Sequence, residues 1–235
     1  MRQPQPSRPV PPVQGPVNPL PAAVIALAAV IIGVEVLFNL ADRGIIGSAG
    51  GIGMRSGAIR DYAVFGEALH WMLANGRFPP DLLARFVTYP LLHFSFTHAL
   101  FVCVFVLAMG KMVGEALGNM AVLAIFFGAS IGGALVYGLL LRDPFPLVGG
   151  YPGVYGLIGG YTFLMWVQAR LLQQSQVMAF RLIGLLLGIQ LLFGLLFGSR
   201  NDWLADLAGF AVGFGLCFLL VPGGWRRLRA MIARR

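Results

Sequence analysis

Charged side chains are scarce: 11% of the 235 residues carry a charge, less than half the ~25% of an ordinary soluble domain. Cysteine is nearly missing, with only Cys103 and Cys217, both inside apolar runs. A disulfide scaffold is therefore excluded. A cysteine so placed behaves as a small buried hydrophobe, which leaves the redox compartment open. Histidine is limited to 3 copies, and acids number 9 against 17 Lys and Arg, for a formal net charge of +8. What fills the chain is apolar. Hydrophobic residues make up 58% of it, mean hydropathy is +0.80, and there are 32 glycines, about twice the average usage of ~7%. That balance excludes a disordered chain, a coiled coil and a soluble enzyme with a normal polar coat. The class is integral membrane.

Crossing a hydrocarbon core of ~30 Å takes about 20 apolar residues in a helix. Six runs qualify: roughly Ala22 to Leu40, Leu91 to Met112, Met120 to Leu141, Pro152 to Leu172, Met178 to Phe197 and Trp203 to Val221. The expected fold is thus an all-α membrane protein, with one domain over residues 22–222. Residues 1–21 hold eight prolines and two charges, a disordered or polyproline-type lead without the parts of a signal peptide. Residues 41–90 form the one long loop. There Tyr62, Phe65, Leu69, Trp71, Met72 and Leu73 alternate with Asp61, Glu67, His70 and Arg77. This pattern predicts one or two short amphipathic helices at the interface, with Trp71 as an anchor.

The basic residues set an expected orientation. With both termini on one side, that side has 10 Lys and Arg with one acid, and the other has seven with six acids. The positive-inside rule then places both termini in the cytoplasm. Five arginines between 226 and 235 make residues 223–235 a basic tail suited to anionic lipid. Membrane lipid is the expected partner, and nucleic acid is not.

Polar groups in a bilayer are costly and are candidate sites by default. They are Glu35 deep in the first span, His93 and His98 at the start of the second, Ser130 in the third and Asp206 one turn into the sixth. Glycines cluster at Gly128, Gly132 and Gly133, from Gly149 to Gly160, and at Gly209, Gly213 and Gly215. Small residues four apart let membrane helices approach closely.

Three segments carry a resemblance. The first runs from Arg85 through Thr88, Tyr89 and Pro90 to His93 and His98; the second is Gly149-Gly150-Tyr151-Pro152-Gly153; the third is Ala205-Asp206-Leu207-Ala208-Gly209 with Gly213. In order and spacing they resemble the first loop with second helix, fourth helix and sixth helix of rhomboid intramembrane serine proteases. The resemblance covers about residues 22 to 222 and implies a six-helix rhomboid-like bundle. It also implies a serine on the fourth helix activated by a histidine on the sixth, with a histidine and an asparagine on the second helix holding the oxyanion.

Carried over position by position, that machinery is broken. The serine falls on Pro152, or on Tyr151 in the register one residue away; the histidine falls on Asp206 and the asparagine on Val102. His98 remains at the oxyanion position. His93, Arg85, Gly150, Gly153, Gly209 and Gly213 remain as cavity and scaffold residues. The glutamate expected four residues after Gly110 is displaced to Glu115. The composition agrees independently: no serine lies between Ser130 and Ser175, and no histidine follows His98. Proline has no hydroxyl and valine no hydrogen-bonding side chain.

Substitutes are weak. Ser130, flanked by Gly128, Gly132 and Gly133, reads as a helix-packing serine bonded to its own backbone. Glu35 and Asp206 lack the context of an aspartyl pair. A metal at His93 and His98 lacks further ligands, and five-residue spacing splits two side chains across a helix face. Neither metal nor cofactor is expected. Asp206 needs a partner or a proton, and His98, Tyr151 and Tyr155 are the expected partners. The sequence therefore reads as a rhomboid-like pseudoprotease that binds transmembrane-helix clients without cutting them. The alternatives are a protease using non-standard groups, or a structural or small-molecule membrane protein.

Overall fold

Pro21 opens α1 (Ala22–Asp42), whose Ala23 N–H donates to the Asn119 side-chain oxygen at 3.1 Å. One of the unpaired donors that every helix start leaves is met in this way. A computed structural model describes residues 19–47, 51, 53–141, 144–197, 201–221 and 223–224. The proline-rich lead before residue 19, the basic tail after 224, and Arg142, Asp143, Arg200 and Pro222 lie outside the described residues. After α1 come α2 (Met54–Tyr62), α3 (Gly66–Asn75), α4 (Pro80–Thr88) and a 3₁₀ turn at Tyr89–Leu91. Then follow α5 (Phe96–Leu117), α6 (Asn119–Leu140), α7 (Tyr151–Leu171), a second 3₁₀ turn at Gln176–Phe180, α8 (Arg181–Phe197) and α9 (Trp203–Leu220). Among the described residues no strand forms, and a lone bridge joins Val64 to Leu147.

Four of these helices, α1, α5, α6 and α9, are both long and apolar enough to cross a membrane, with mean hydropathies of 1.9 to 2.5. The fourth and fifth expected spans coincide with α7 and α8, which fall short for different reasons. α8 has 17 residues. α7 is long enough, but its glycines and tyrosines dilute its hydropathy. Burial explains that composition in the first half of the helix: every residue from Pro152 to Gly160 is buried, so this half of α7 is packed among its neighbours. Its glycines let α5, α6 and α9 close around it.

Three boundaries differ from the hydropathy reading. The second span starts at Phe96 rather than near Leu91, because Pro90 and the extended residues after it break the helix, and Ser95 caps the new start by accepting the His98 N–H at 3.2 Å. His93 therefore precedes α5. The long loop holds three short helices rather than one or two, since Gly76, at φ +60°, ends α3 and Pro79-Pro80 starts α4. The fifth span is preceded by a 3₁₀ turn and starts at Arg181 instead of Met178. The loop helices lie against α6 through Leu69, Met72 and Phe86, which pack with Ala134 and Tyr137. Trp71 is half-exposed on α3.

Candidate functional site

The start of α5, the 147–152 segment and the start of α9 enclose one open cavity of about 320 Å³. His98, Tyr151, Pro152 and Asp206 all line it, together with Phe94, Ser95, Thr97, Phe101 and Asp202. A second cavity of about 240 Å³ lies between Phe105 of α5, Leu186, Ile189 and Gln190 of α8, and the α7 residues Tyr151, Val154, Tyr155 and Ile158. Asp206 and Tyr151 belong to both walls. The two cavities meet at these side chains.

Local structure explains each placement. Pro152 sits in the first turn of α7, where its missing N–H removes no helix bond. His98 lies in the first turn of α5; the Tyr151 ring stacks on it at 5.1 Å between centroids and 19°, and Phe94 stacks at 6.1 Å and 20°. Gly149, at φ +106°, allows this approach: a Cβ there would lie 2.6 Å from His98 Cε1 and Nε2. Val102 is fully buried, and its Cγ1 would be 2.8 Å from a Cβ on Gly150. A valine here fills space that the asparagine of the resemblance would use for hydrogen bonding.

Asp206 is buried, and its nearest support is a residue the sequence reading missed. Gln190 Nε2 donates to Asp206 Oδ2 at 3.1 Å, while the Tyr155 hydroxyl donates to Gln190 Oε1 at 3.3 Å. Tyr155 thus reaches Asp206 through Gln190 rather than directly, because α8 inserts its amide between α7 and α9. Gln190 was findable: it is the one polar residue within Leu182 to Phe197, and a lone amide in an apolar span warrants suspicion.

His93 stands outside α5, with its ring edge-on to His98 at 5.0 Å. The two imidazoles therefore meet, contrary to what helical spacing of five residues implied. The Gly150 N–H donates to His93 Nε2 at 3.4 Å, which requires a neutral ring. Burial, the neighbouring His98 and Arg55 together push the His93 pKa down to about 3. Among the described residues no group of three His, Cys, Asp or Glu could hold a metal.

Glu35 is tied to the loop. Arg55 donates two bonds to its carboxylate, at 2.8 and 2.9 Å, and Asn39 Nδ2 donates another at 2.8 Å. The Glu35 hydrogen bond raises the Arg55 pKa against the opposing effect of burial. Arg55 Nη1 also donates to the His93 carbonyl at 2.9 Å. This guanidinium, another group absent from the sequence reading, clamps α1 to the segment carrying His93. Glu35 and Asp206 thus have separate partners. Arg85 Nη1 donates to the carbonyls of Arg60 and Ala63 at 3.1 and 3.3 Å, holding α4 to the end of α2.

Ser130 is fully buried and donates to the Phe126 carbonyl, four residues back, at 2.8 Å. Its own carbonyl accepts from the Tyr89 hydroxyl at 2.7 Å. It lines neither cavity. Gly209 and Gly213 face α7, where a Cβ would fall 2.3 Å from the Pro152 carbonyl oxygen and 2.1 Å from that of Gly156. Gly153 likewise lets α7 lie against Phe126 and Ser130. The arrangement offers a cavity with carboxylates and aromatic rings, without a hydroxyl–imidazole pair at positions 152 and 206.

Two comparisons bear on this site. A model of the Rhomboid domain matches residues 80–223. A protein of Bacillus subtilis (strain 168) named "Putative rhomboid protease YdcA" is 30% identical over 145 residues, which is 61% of this chain and 70% of that one.

Proposed function

The chain belongs to the rhomboid family and is a multi-pass integral membrane protein; on that footing we propose that it is a pseudoprotease, binding client transmembrane helices without cleaving them. One observation carries the reading. Pro152 and Asp206 share a cavity wall, and neither can act as the hydroxyl nucleophile or the imidazole base of serine catalysis. Binding is supported by the second cavity, which lies between α5 and α8. Among the described side chains of α8, Ile183 is the one that is buried, and in this reading the space between α5 and α8 is the side entrance for a client.

In this reading α7 and α8 complete six spans, both termini are cytoplasmic, and the membrane is a bacterial inner membrane. Lipid and client helices are the partners, and no cofactor takes part. A second reading, an active protease using other groups, draws on the name of the Bacillus relative. One experiment separates the two: fluorophosphonate labelling together with cleavage of a model transmembrane substrate in detergent. The pseudoprotease reading expects neither. Probe labelling that replacing a single serine or threonine abolishes, whether Ser130 or the cavity residues Ser95 and Thr97, would overturn it. Photo-crosslinking from α8 then reads client contact directly.

A further inference from the structure

Asp206 brings a carboxylate to the place where the two cavities meet. It is 5% exposed, it accepts a hydrogen bond from the neutral amide of Gln190, and no lysine or arginine stands among the described residues lining either cavity. Asp202, one helical turn earlier, adds a second carboxylate to the mouth cavity. The walls are otherwise aromatic or apolar: Phe94, Phe101 and Tyr151 at the mouth, Phe105 and Tyr155 at the side. Carboxylates beside aromatic faces form a receptor for a cation, since ring quadrupoles attract positive charge and a low-dielectric wall strengthens the ion pair.

Geometry says how such a cation would arrive. The side cavity, about 240 Å³ between α5 and α8, is several times the ~30 Å³ share of one water and has room for a long side chain entering between those two helices. Asp206 lies three residues into α9, hence about 5 Å below the helix end. A basic side chain within a membrane helix pays heavily for its charge, and so does a buried carboxylate; pairing them relieves both. We propose that the preferred clients are transmembrane helices bearing a lysine or arginine about one turn below the membrane surface, and that Asp206 receives that cation. This rests on the client-binding reading and adds the chemistry of the client.

The test uses the full-length protein in phosphatidylcholine vesicles and three labelled leucine-rich helices of about 20 residues. They are identical except for Lys, Gln or Glu about one turn from one end. Energy transfer to the protein reads binding. The expected result is about tenfold or greater preference for the Lys helix over the Gln helix, and weaker binding still of the Glu helix. Asp206→Asn, which keeps the side-chain shape and the Gln190 contact, should erase the preference for Lys while retaining Gln-helix binding. Equal binding of Lys and Gln helices by the wild type overturns the proposal without requiring any variant, and leaves the client-binding reading standing. No binding of any helix removes that reading and this one together. A Lys preference that disappears when the primary ammonium of phosphatidylethanolamine replaces the bulkier quaternary ammonium of phosphatidylcholine assigns the site to a primary lipid ammonium, and also overturns it.

Discussion

Gln190 and Asp206, sixteen residues apart, are joined Nε2 to Oδ2 at 3.1 Å. The bond fastens α8 to α9 and supplies the buried carboxylate with a donor. Its removal has consequences on both helices.

Gln190→Leu leaves Asp206 buried without that donor, and the expected cost is about 1–3 kcal/mol. Gln190→Leu combined with Asp206→Leu removes the stranded polar group as well, so the double variant should lose less than the sum of the two single ones. Thermal unfolding of all four proteins in one detergent checks the cycle. Additive losses would mean that the two side chains do not interact.

The contact between α7 and α9 depends on missing side chains. A Cβ at position 213 would fall 2.1 Å from the Gly156 carbonyl oxygen, which is backbone and cannot rotate away. Gly213→Val should therefore separate the helices, costing about 3 kcal/mol or more, and collapse the folded yield. Gly215→Ala is the control, because a Cβ there meets nothing within 4 Å. It should be neutral or slightly stabilising. Melting temperatures and monodispersity after extraction distinguish the two outcomes.

Arg55 and Glu35 form an ion pair whose side chains are 14% and 1% exposed. Arg55→Gln leaves the carboxylate buried without its cation and releases the His93 carbonyl, for a loss of roughly 3–5 kcal/mol. Arg55→Lys should restore only part of it, since an ammonium cannot reproduce the two-pronged contact. Glu35→Gln together with Arg55→Gln should be milder than Arg55→Gln alone. Stability measured across the series in detergent tests that order.

His93 makes stability pH-dependent. Its folded pKa of about 3 lies below the ~6.5 of a free histidine. Between these values the unfolded chain binds the extra proton, so stability rises with pH there. The contribution is complete above about pH 6.5 and declines as pH falls toward 3, with each unit of pKa difference worth ~1.4 kcal/mol. His93→Gln can still accept from the Gly150 N–H and has no such titration. The melting-temperature gap between wild type and His93→Gln should shift against the wild type as pH is lowered from 7 to about 4. A gap that stays constant over that range would show that His93 is not the titrating group.

Much of the candidate site was legible before the fold. Rare polar groups in apolar runs pointed to His98 and Asp206, and the glycine-rich segments around Gly150, Gly153, Gly209 and Gly213 marked the helices that meet there. That Pro152 and Val102 stand where the resemblance implies a serine and an asparagine was legible too, and proline has no hydroxyl and valine no amide. The partners were harder. His98, Tyr151 and Tyr155 were the expected supports of Asp206, whereas Gln190 on α8 is the one that bonds it. Glu35 had no assigned partner, and Arg55, twenty residues later, provides it.

Composition, hydropathy and the placement of charge determined an apolar, helical membrane chain with one long first loop, because span length and turn residues are local properties of the sequence. That positions 152 and 206 carry a proline and an aspartate is equally local, since a side chain either carries a hydroxyl or imidazole or does not. Only the tertiary structure decided that the first half of α7 is buried, that His93 leaves the helix to meet His98, and that two cavities share Asp206. Those facts depend on how each helix is rotated and how closely its glycines let a neighbour approach, which side-chain interdigitation across the whole bundle sets.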